Sequence, residues 1–439
     1  MDMIKTPMGK LFRHYLTASL GSAVIMTIYA FVDAVAVGQA EGPAGAAVMA
    51  VISPLFGIYV FLSLVFGIGG SVLMSAARGE GQREEGDRWY SASMLLMGVV
   101  TLVFWALLVA FHKPVMRFFG ATDELYPLLM RYAWWLIAFA PMVVGAVFLA
   151  CFVRNDGAPR LAMTAVLVGG AFNIFGDWFL VFPLGMGITG AGLATIGSNA
   201  IQTVILCAYV FGKRSGLRLV KPDGLWGRTK AIVSIGFGAG MLDLANVFLF
   251  ALLNNQIIRY GGVDYLAVFG AIGTAATLFQ SLFAGVGQAL QPIASTNHGA
   301  SEFERVRSVL VRALVSALGM SAVFFLLCQC FPRPIVRLFM DATPEVVGIA
   351  GEVIRPYAFT FLFMSVNIVI TYYLQSTLHG RWSTAVSLLR GLFLSGAFIL
   401  VFPLVFGLNG VWWAVPAAEA LVAALALYLA FVDKNVRRG

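Results

Sequence analysis

The chain has 439 residues and a formal net charge of +8, yet only 11% of its residues are charged while 60% are hydrophobic. A soluble domain carries about 25% charged residues, and so few charges on a water-facing surface would leave large apolar patches bare. A soluble globular enzyme is excluded, and so is disorder, whose mark is low hydrophobicity; a polytopic membrane protein remains.

A helix needs about 20 apolar residues to cross the hydrocarbon core. In chain order, twelve runs qualify, at about 14–37, 47–76, 89–111, 127–152, 160–182, 189–211, 231–258, 265–293, 309–331, 350–378, 384–406 and 410–431. The connections are short, so little is left for a soluble domain. The first run is too long for a signal-peptide core and reads as the first span. A transmembrane barrel would show alternating strands of about ten residues instead. Cys151, Cys207, Cys328 and Cys330 all lie inside apolar runs. Their spacing fits neither a disulfide framework nor a zinc site, so they are small core residues.

Lys and Arg set the orientation. The N-terminus, the even-numbered loops and the C-terminus together hold 20 of them, against 5 (Lys113, Arg117, Arg259, Arg333 and Arg337) in the opposite loops. Both termini are therefore expected in the cytoplasm, with the chain a multi-pass protein of the plasma (cell inner) membrane. This bias accounts for most of the net charge, and no nucleic-acid partner is needed to explain it.

The chain also contains an internal duplication. Leu180-Val181-Phe182-Pro183-Leu184 recurs as Leu400-Val401-Phe402-Pro403-Leu404. At the same offset of 220, Gly187 pairs with Gly407, Thr164-Ala165-Val166 with Thr384-Ala385-Val386, and Pro114, Arg117 and Phe119 with Pro334, Arg337 and Phe339. With six spans per copy, the halves must be parallel repeats about an axis along the membrane normal. The expected fold is thus all-α, twelve transmembrane helices in two six-helix lobes, with an N-lobe at 1–222 and a C-lobe at 223–439 flanking a central cleft.

Ionisable residues at membrane depth are costly and point to function. Asp33 lies about four residues below the outer end of span 1 and Asp177 about five below that of span 5, within ~10 Å of one boundary. Asn173 precedes Asp177 by one helical turn, and Thr195 on span 6 reaches a similar depth. In the second copy Asn173, Asp177 and Thr195 become Phe393, Ala397 and Val415, and Asp33 falls opposite the Asn254/Asn255 region. Groups needed only for packing the six-helix unit would have been kept, so the first lobe has a task that the second lacks. Two carboxylates, an amide and a hydroxyl offer hard oxygen ligands for a sodium ion, and the same pair of acids can instead share a proton. Asp243 and Asn246 on span 7 and Glu419 on span 12 are secondary polar candidates. Gln280 on span 8 and Asn367, Tyr372, Tyr373 and Gln375 on span 10 are candidate cleft-lining residues.

Several segments carry a family resemblance. They are Ile28-Tyr29-Ala30-Phe31-Val32-Asp33 through Gly38; Arg154 with Gly157-Ala158-Pro159 and Ala162-Met163; Asn173-Ile174 with Asp177; Gly187-Ile188-Thr189-Gly190-Ala191-Gly192-Leu193-Ala194-Thr195; and, in the second half, Gln291-Pro292-Ile293, Asn297, Gly299-Ala300 and Gly410-Val411-Trp412. Over nearly its whole length the chain resembles the MATE (multidrug and toxic compound extrusion) family, closest to the bacterial drug-efflux branch. The resemblance implies a twelve-helix xenobiotic exporter that exchanges organic, often cationic, compounds for sodium ions or protons. It also implies an N-lobe cation site at Asp33, Asn173, Asp177 and Thr195. The chain departs from the family in three places. Span 1 lacks the proline that bends it in many members, Gly236-Phe237-Gly238 replaces a Gly-x-Pro opening span 7, and Asn246 stands where some members carry an acid.

The expectation is a secondary antiporter, not an enzyme. Its partners are a small organic substrate, Na+ or H+ and membrane lipid; it needs no cofactor and acts as a monomer. The alternative is a flippase or exporter of a lipid-linked or specific metabolite precursor. That requires cations in the cleft for a diphosphate, whereas Arg131, Arg312, Arg355 and Arg390 are expected near helix ends, where they can snorkel. His14, His112, His298 and His379 are too dispersed to form the metal site of an intramembrane enzyme.

Overall fold

The computed structural model describes residues 2–339 and 343–432, apart from the side chains at 43, 46, 242–244, 246, 247 and 339. The first half contains α1 (Met8–Gly42), α2 (Ala47–Gly79), α3 (Arg83–Phe118), α4 (Tyr126–Ala138 and Ala140–Asn155, bent by 54°), α5 (Pro159–Val181) and α6 (Ile188–Val210). The second contains α7 (Leu225–Tyr260), α8 (Val263–Gly299), α9 (Phe303–Cys330), α10 (Pro344–Ser376), α11 (380–406) and α12 (408–431). Among the described residues, nine helical stretches are long and apolar enough to cross a membrane, and the bent α4 is a tenth. One of the nine is divided at Gly407 into α11 and α12, and α7, 36 residues long, completes the twelve.

The duplication extends to backbone conformation. Gly42, Gly187, Gly262 and Gly407 break the chain between α1/α2, α5/α6, α7/α8 and α11/α12, each with positive φ (61°, 55°, 87° and 57°). They form two pairs at the offset of 220. A Cβ disfavours this region, so glycine is the residue that permits these four reversals. Each reversal turns the chain back at the face opposite the Lys/Arg-rich one. α3 carries Leu95, Val99, Leu102, Val103 and Leu107, each about half exposed, on a helix of membrane length. This is the stripe expected where lipid replaces water as solvent.

Two apolar cores form. The first gathers residues from Ala36 to Ile232, mostly of the first lobe, and the second residues from Met8 to Ala430, mostly of the second. The basic ends of α1 and α2 (Leu11, Phe12, Tyr15, Leu64, Ile68 and Val72) belong to the second core. There the lobes touch through backbone. A Cβ at Gly79 would overlap the Thr296 carbonyl oxygen, and one at Gly299 the Ala76 carbonyl oxygen. Gly79 and Gly299, like Ala76 and Thr296, are repeat partners, so this contact straddles the pseudo-two-fold axis. Gly236 and Gly69 similarly bring α7 onto the backbone of α2 and α2 onto that of α7.

Two clasps reinforce the basic face. Arg228, at the start of α7, pairs with Glu85 on α3 at 2.6 Å and also with Asp223, its guanidinium lying 4.4 Å from the Trp89 ring centre. At the repeat partner of Glu85, Arg305 on α9 donates to the carbonyls of Met3 and Thr6 ahead of α1 (3.0 and 2.8 Å). Each lobe's third helix thus holds the other lobe's leading segment.

Candidate functional site

The polar layer is assembled by α1, α4, α5 and α6. Asp33, on α1 nine residues before Gly42, is 7% exposed. Its Oδ2 accepts the Tyr132 hydroxyl at 2.9 Å, and the Thr195 hydroxyl lies 3.4 Å from Oδ1. The Tyr132 and Thr195 hydroxyls are themselves 3.1 Å apart. Asn173 and Asp177 share one face of α5, 1% and 0% exposed. Among the described residues, neither carboxylate oxygen of Asp177 nor the Oδ1 of Asn173 has a hydrogen-bond partner. Asp33 is close enough to Asp177 for their charges to repel. A buried carboxylate without donors is costly, and a monovalent cation or a proton would meet the demand of Asp177 and Asn173 together. No group of three or more His, Cys, Asp or Glu suited to a multivalent metal exists among the described residues. The donors are two carboxylates, one amide and hydroxyls, chemistry suited to a singly charged ion.

α1 approaches α6 at its outer end too, where Glu41 Oε1 accepts the Ile188 N–H at 3.1 Å. α1 runs as one helix from Met8 to Gly42 without a break at Ala18, as a span lacking proline should.

Tyr132 is the member that sequence reasoning missed. It lies in an apolar run, and the 54° bend of α4 just beyond it has no local periodic signal. The repeat gave no signal either, since its partner Glu352 gains polarity where the partners of Asn173, Asp177 and Thr195 lose it.

The secondary candidates fall elsewhere. Asp243 and Asn246 lie in α7, with side chains outside the described ones. Glu419 is buried in the second lobe, bound to Arg390 at 2.8 Å. Arg390, expected to snorkel at a helix end, instead sits inside α11 with 4% of its side chain exposed, because Glu419 supplies an opposite charge at that depth. Asn367 donates to Glu419 Oε2 at 2.6 Å and Gln375 to Ser383 Oγ at 3.0 Å, so both amides are engaged inside the lobe. Tyr372 and Tyr373 are also buried, and Gln280 is half-buried.

Two lobes of six membrane-length helices, with an unpartnered buried carboxylate among them, define a multi-pass membrane protein. Residues 18–179 and 241–399 match the MatE family; the chain belongs to it and is a secondary transporter, not an enzyme. Among its relatives is the multidrug export protein MepA of Staphylococcus aureus, 24% identical over 442 residues, covering 98% of this chain and 95% of that protein. The MepA of Staphylococcus saprophyticus is 22% identical over 440 residues, with 98% and 95% covered. Similar solved structures include an outward-facing multidrug resistance MATE family transporter of the MOP superfamily (TM-score 0.89, 20% identity, 97% of this chain and 95% of that one). Another is a MOP superfamily transporter from Pyrococcus furiosus described as having reversed binding-pocket polarity (TM-score 0.91, 20% identity, 100% and 98%).

Proposed function

We propose that this protein is a cation-coupled antiporter of the plasma membrane, with both termini cytoplasmic. It exports organic, cationic or amphipathic compounds by alternating access between lobes at 1–222 and 223–439. The curated relatives are named multidrug export proteins, which supports that class of cargo. The observation that carries the coupling is Asp177, fully buried with no donor to either oxygen, beside Asn173 and the Asp33–Tyr132–Thr195 set.

In the cycle, substrate loads from the cytoplasm or inner leaflet while the basic face is open. Closure of that face along α2 and α8 exposes the cleft outward, where Na+ or H+ enters the Asp33/Asp177 layer and substrate leaves. One elementary charge falling through 100 mV provides about 2.3 kcal/mol. A few kcal/mol of differential affinity is enough to invert the populations of two facing states. Against a lipid-linked diphosphate as cargo stands Arg390, whose charge is taken up by Glu419.

Everted vesicles test the reading, with drug-driven cation movement measured with and without sodium and a protonophore. Asp33→Asn and Asp177→Asn should each insert normally and lose coupled export. Normal export by both variants would end the assignment.

A further inference from the structure

Arg390 and Glu419 form the one ion pair among the described residues in which both side chains are as little as 4% exposed. Arg390 Nε donates to both carboxylate oxygens, at 2.8 and 3.1 Å. Asn367 Nδ2 donates to Oε2 and to the Glu419 carbonyl, at 2.6 and 2.9 Å, while its own Oδ1 accepts nothing among the described residues. Around Arg390 the helix widens into a π turn, Leu389–Phe393, and the Ser395 hydroxyl caps the Arg390 carbonyl. Such turns commonly mark functional positions. Arg390 lies ten residues into α11, ~15 Å from its basic end, where a charge is costly and rarely kept without a task.

The duplication suggests that task. Arg390, Glu419 and Asn367 stand on α11, α12 and α10 at the repeat positions of Gly170, Asn199 and Val147 on α5, α6 and α4. The first-lobe layer lies nearer the outer face, by about one turn at Asn173 and Thr195, two at Asp177 and four at Tyr132 on α4. Both lobes therefore draw polar groups from the same repeat pairs of helices, α4/α10, α5/α11 and α6/α12, and the first lobe adds Asp33 from α1. The difference is charge. The first lobe holds two carboxylates and no cation of its own, whereas the second holds one carboxylate matched by a guanidinium on its own chain.

We propose that Arg390 is a tethered cation filling an ion site of the second lobe, and that without its guanidinium Glu419 and Asn367 become a site for a free monovalent cation. Exchange with the bulk ion then runs through the first lobe alone, while the second is held permanently in the form of a loaded lobe. This rests on the cation coupling proposed above for Asp33 and Asp177.

The test uses purified full-length protein in the Asp33→Asn/Asp177→Asn background, with equilibrium binding of radioactive sodium and the infrared band of protonated buried carboxyl groups as parallel readouts. The background protein should lose the wild-type signal. Adding Arg390→Met should regain one bound sodium per chain or one protonated carboxyl band, and adding Glu419→Gln should abolish it. Wild-type binding in the background protein would refute the first-lobe reading. Loss there with no recovery on Arg390→Met would refute the tethered cation and leave the first-lobe reading standing.

An intact-background arm guards against misfolding. Replacing both members of a buried pair with apolar residues is often neutral, whereas removing one is severe. Arg390→Met/Glu419→Met should therefore accumulate and, with the first-lobe acids intact, bind the wild-type amount of sodium or show the wild-type carboxyl band, because it has lost the second-lobe ligand together with its tethered cation. Arg390→Met alone, with the first-lobe acids intact, should show one bound sodium or one protonated carboxyl more than the wild type. An Arg390→Met protein that accumulates without that gain, or a double variant that shows it, would overturn the proposal.

Discussion

Gly299→Ala should shift the transporter toward the state open at its basic face. The Gly299 Cα rests on the backbone of α2, and an added Cβ would fall well inside 3.0 Å of the Ala76 carbonyl oxygen, a separation that real Cβ contacts essentially never show. The obstacle is helical backbone, so no rotamer change relieves it, and α2 and α8 must part by about 1 Å or more to restore van der Waals contact. Overpacking of this kind costs about 1–3 kcal/mol, a factor of about 5–150 in a two-state equilibrium. The penalty applies only when the two helix ends touch, so it weighs against the closed basic face and leaves the open one unaffected. Spin labels at cysteines replacing exposed Gln82 and Glu302, in a protein freed of its four native cysteines, should report a longer mean distance, and export should fall at least fivefold. Gly79→Ala, the repeat partner against Thr296, should do the same. An unchanged distance distribution with undiminished export would refute the backbone contact as the closing element.

Three further outcomes follow from named contacts. Tyr132→Phe removes the 2.9 Å donor to Asp33; a hydrogen bond to a charged group is worth about 1.5–3 kcal/mol, so the cation-free carboxylate is less stabilised and the coupling ion should be held about tenfold tighter in titrations of export against cation. Gly287→Ala drives a Cβ into the buried Tyr372 ring, and thermal denaturation in detergent should show destabilisation of about 1–3 kcal/mol; an unchanged Tm would contradict the packing of α8 on α10. On the basic face, the hydrogen bond from Arg228 holds the Asp223 carboxyl below its usual 3.8. A depressed folded-state pKa means that the contribution is present above about pH 4 and fades only as pH falls below it, so a spin-label pair across this clasp should keep its distance from about pH 8 to pH 5.

Much of the architecture was legible because its signals are local. Apolar runs of membrane length marked the spans. The offset of 220 marked the copies, and Gly42/Gly262 and Gly187/Gly407 repeat it as backbone angles. Counting residues from helix ends put Asp33, Asp177 and Thr195 at one depth. Less legible was what each group would meet. Tyr132 reaches Asp33 from the segment of α4 that precedes a bend no periodicity announced. Arg390 was expected to reach an interface, but Glu419 and Asn367 from two other helices close around it. Asn367 and Gln375, candidates for the cleft, have their amides bound inside the second lobe.

By itself, then, the sequence determined that the chain spans the membrane, how many times, in which repeat, and that Asp33 and Thr195 share one level, because hydrophobic length and rise per residue are properties of single helices. Only the tertiary structure decided which charges are paired and which stay unsatisfied. That depends on how each helix is rotated about its axis and which neighbour faces it, and packing between helices distant in sequence sets both.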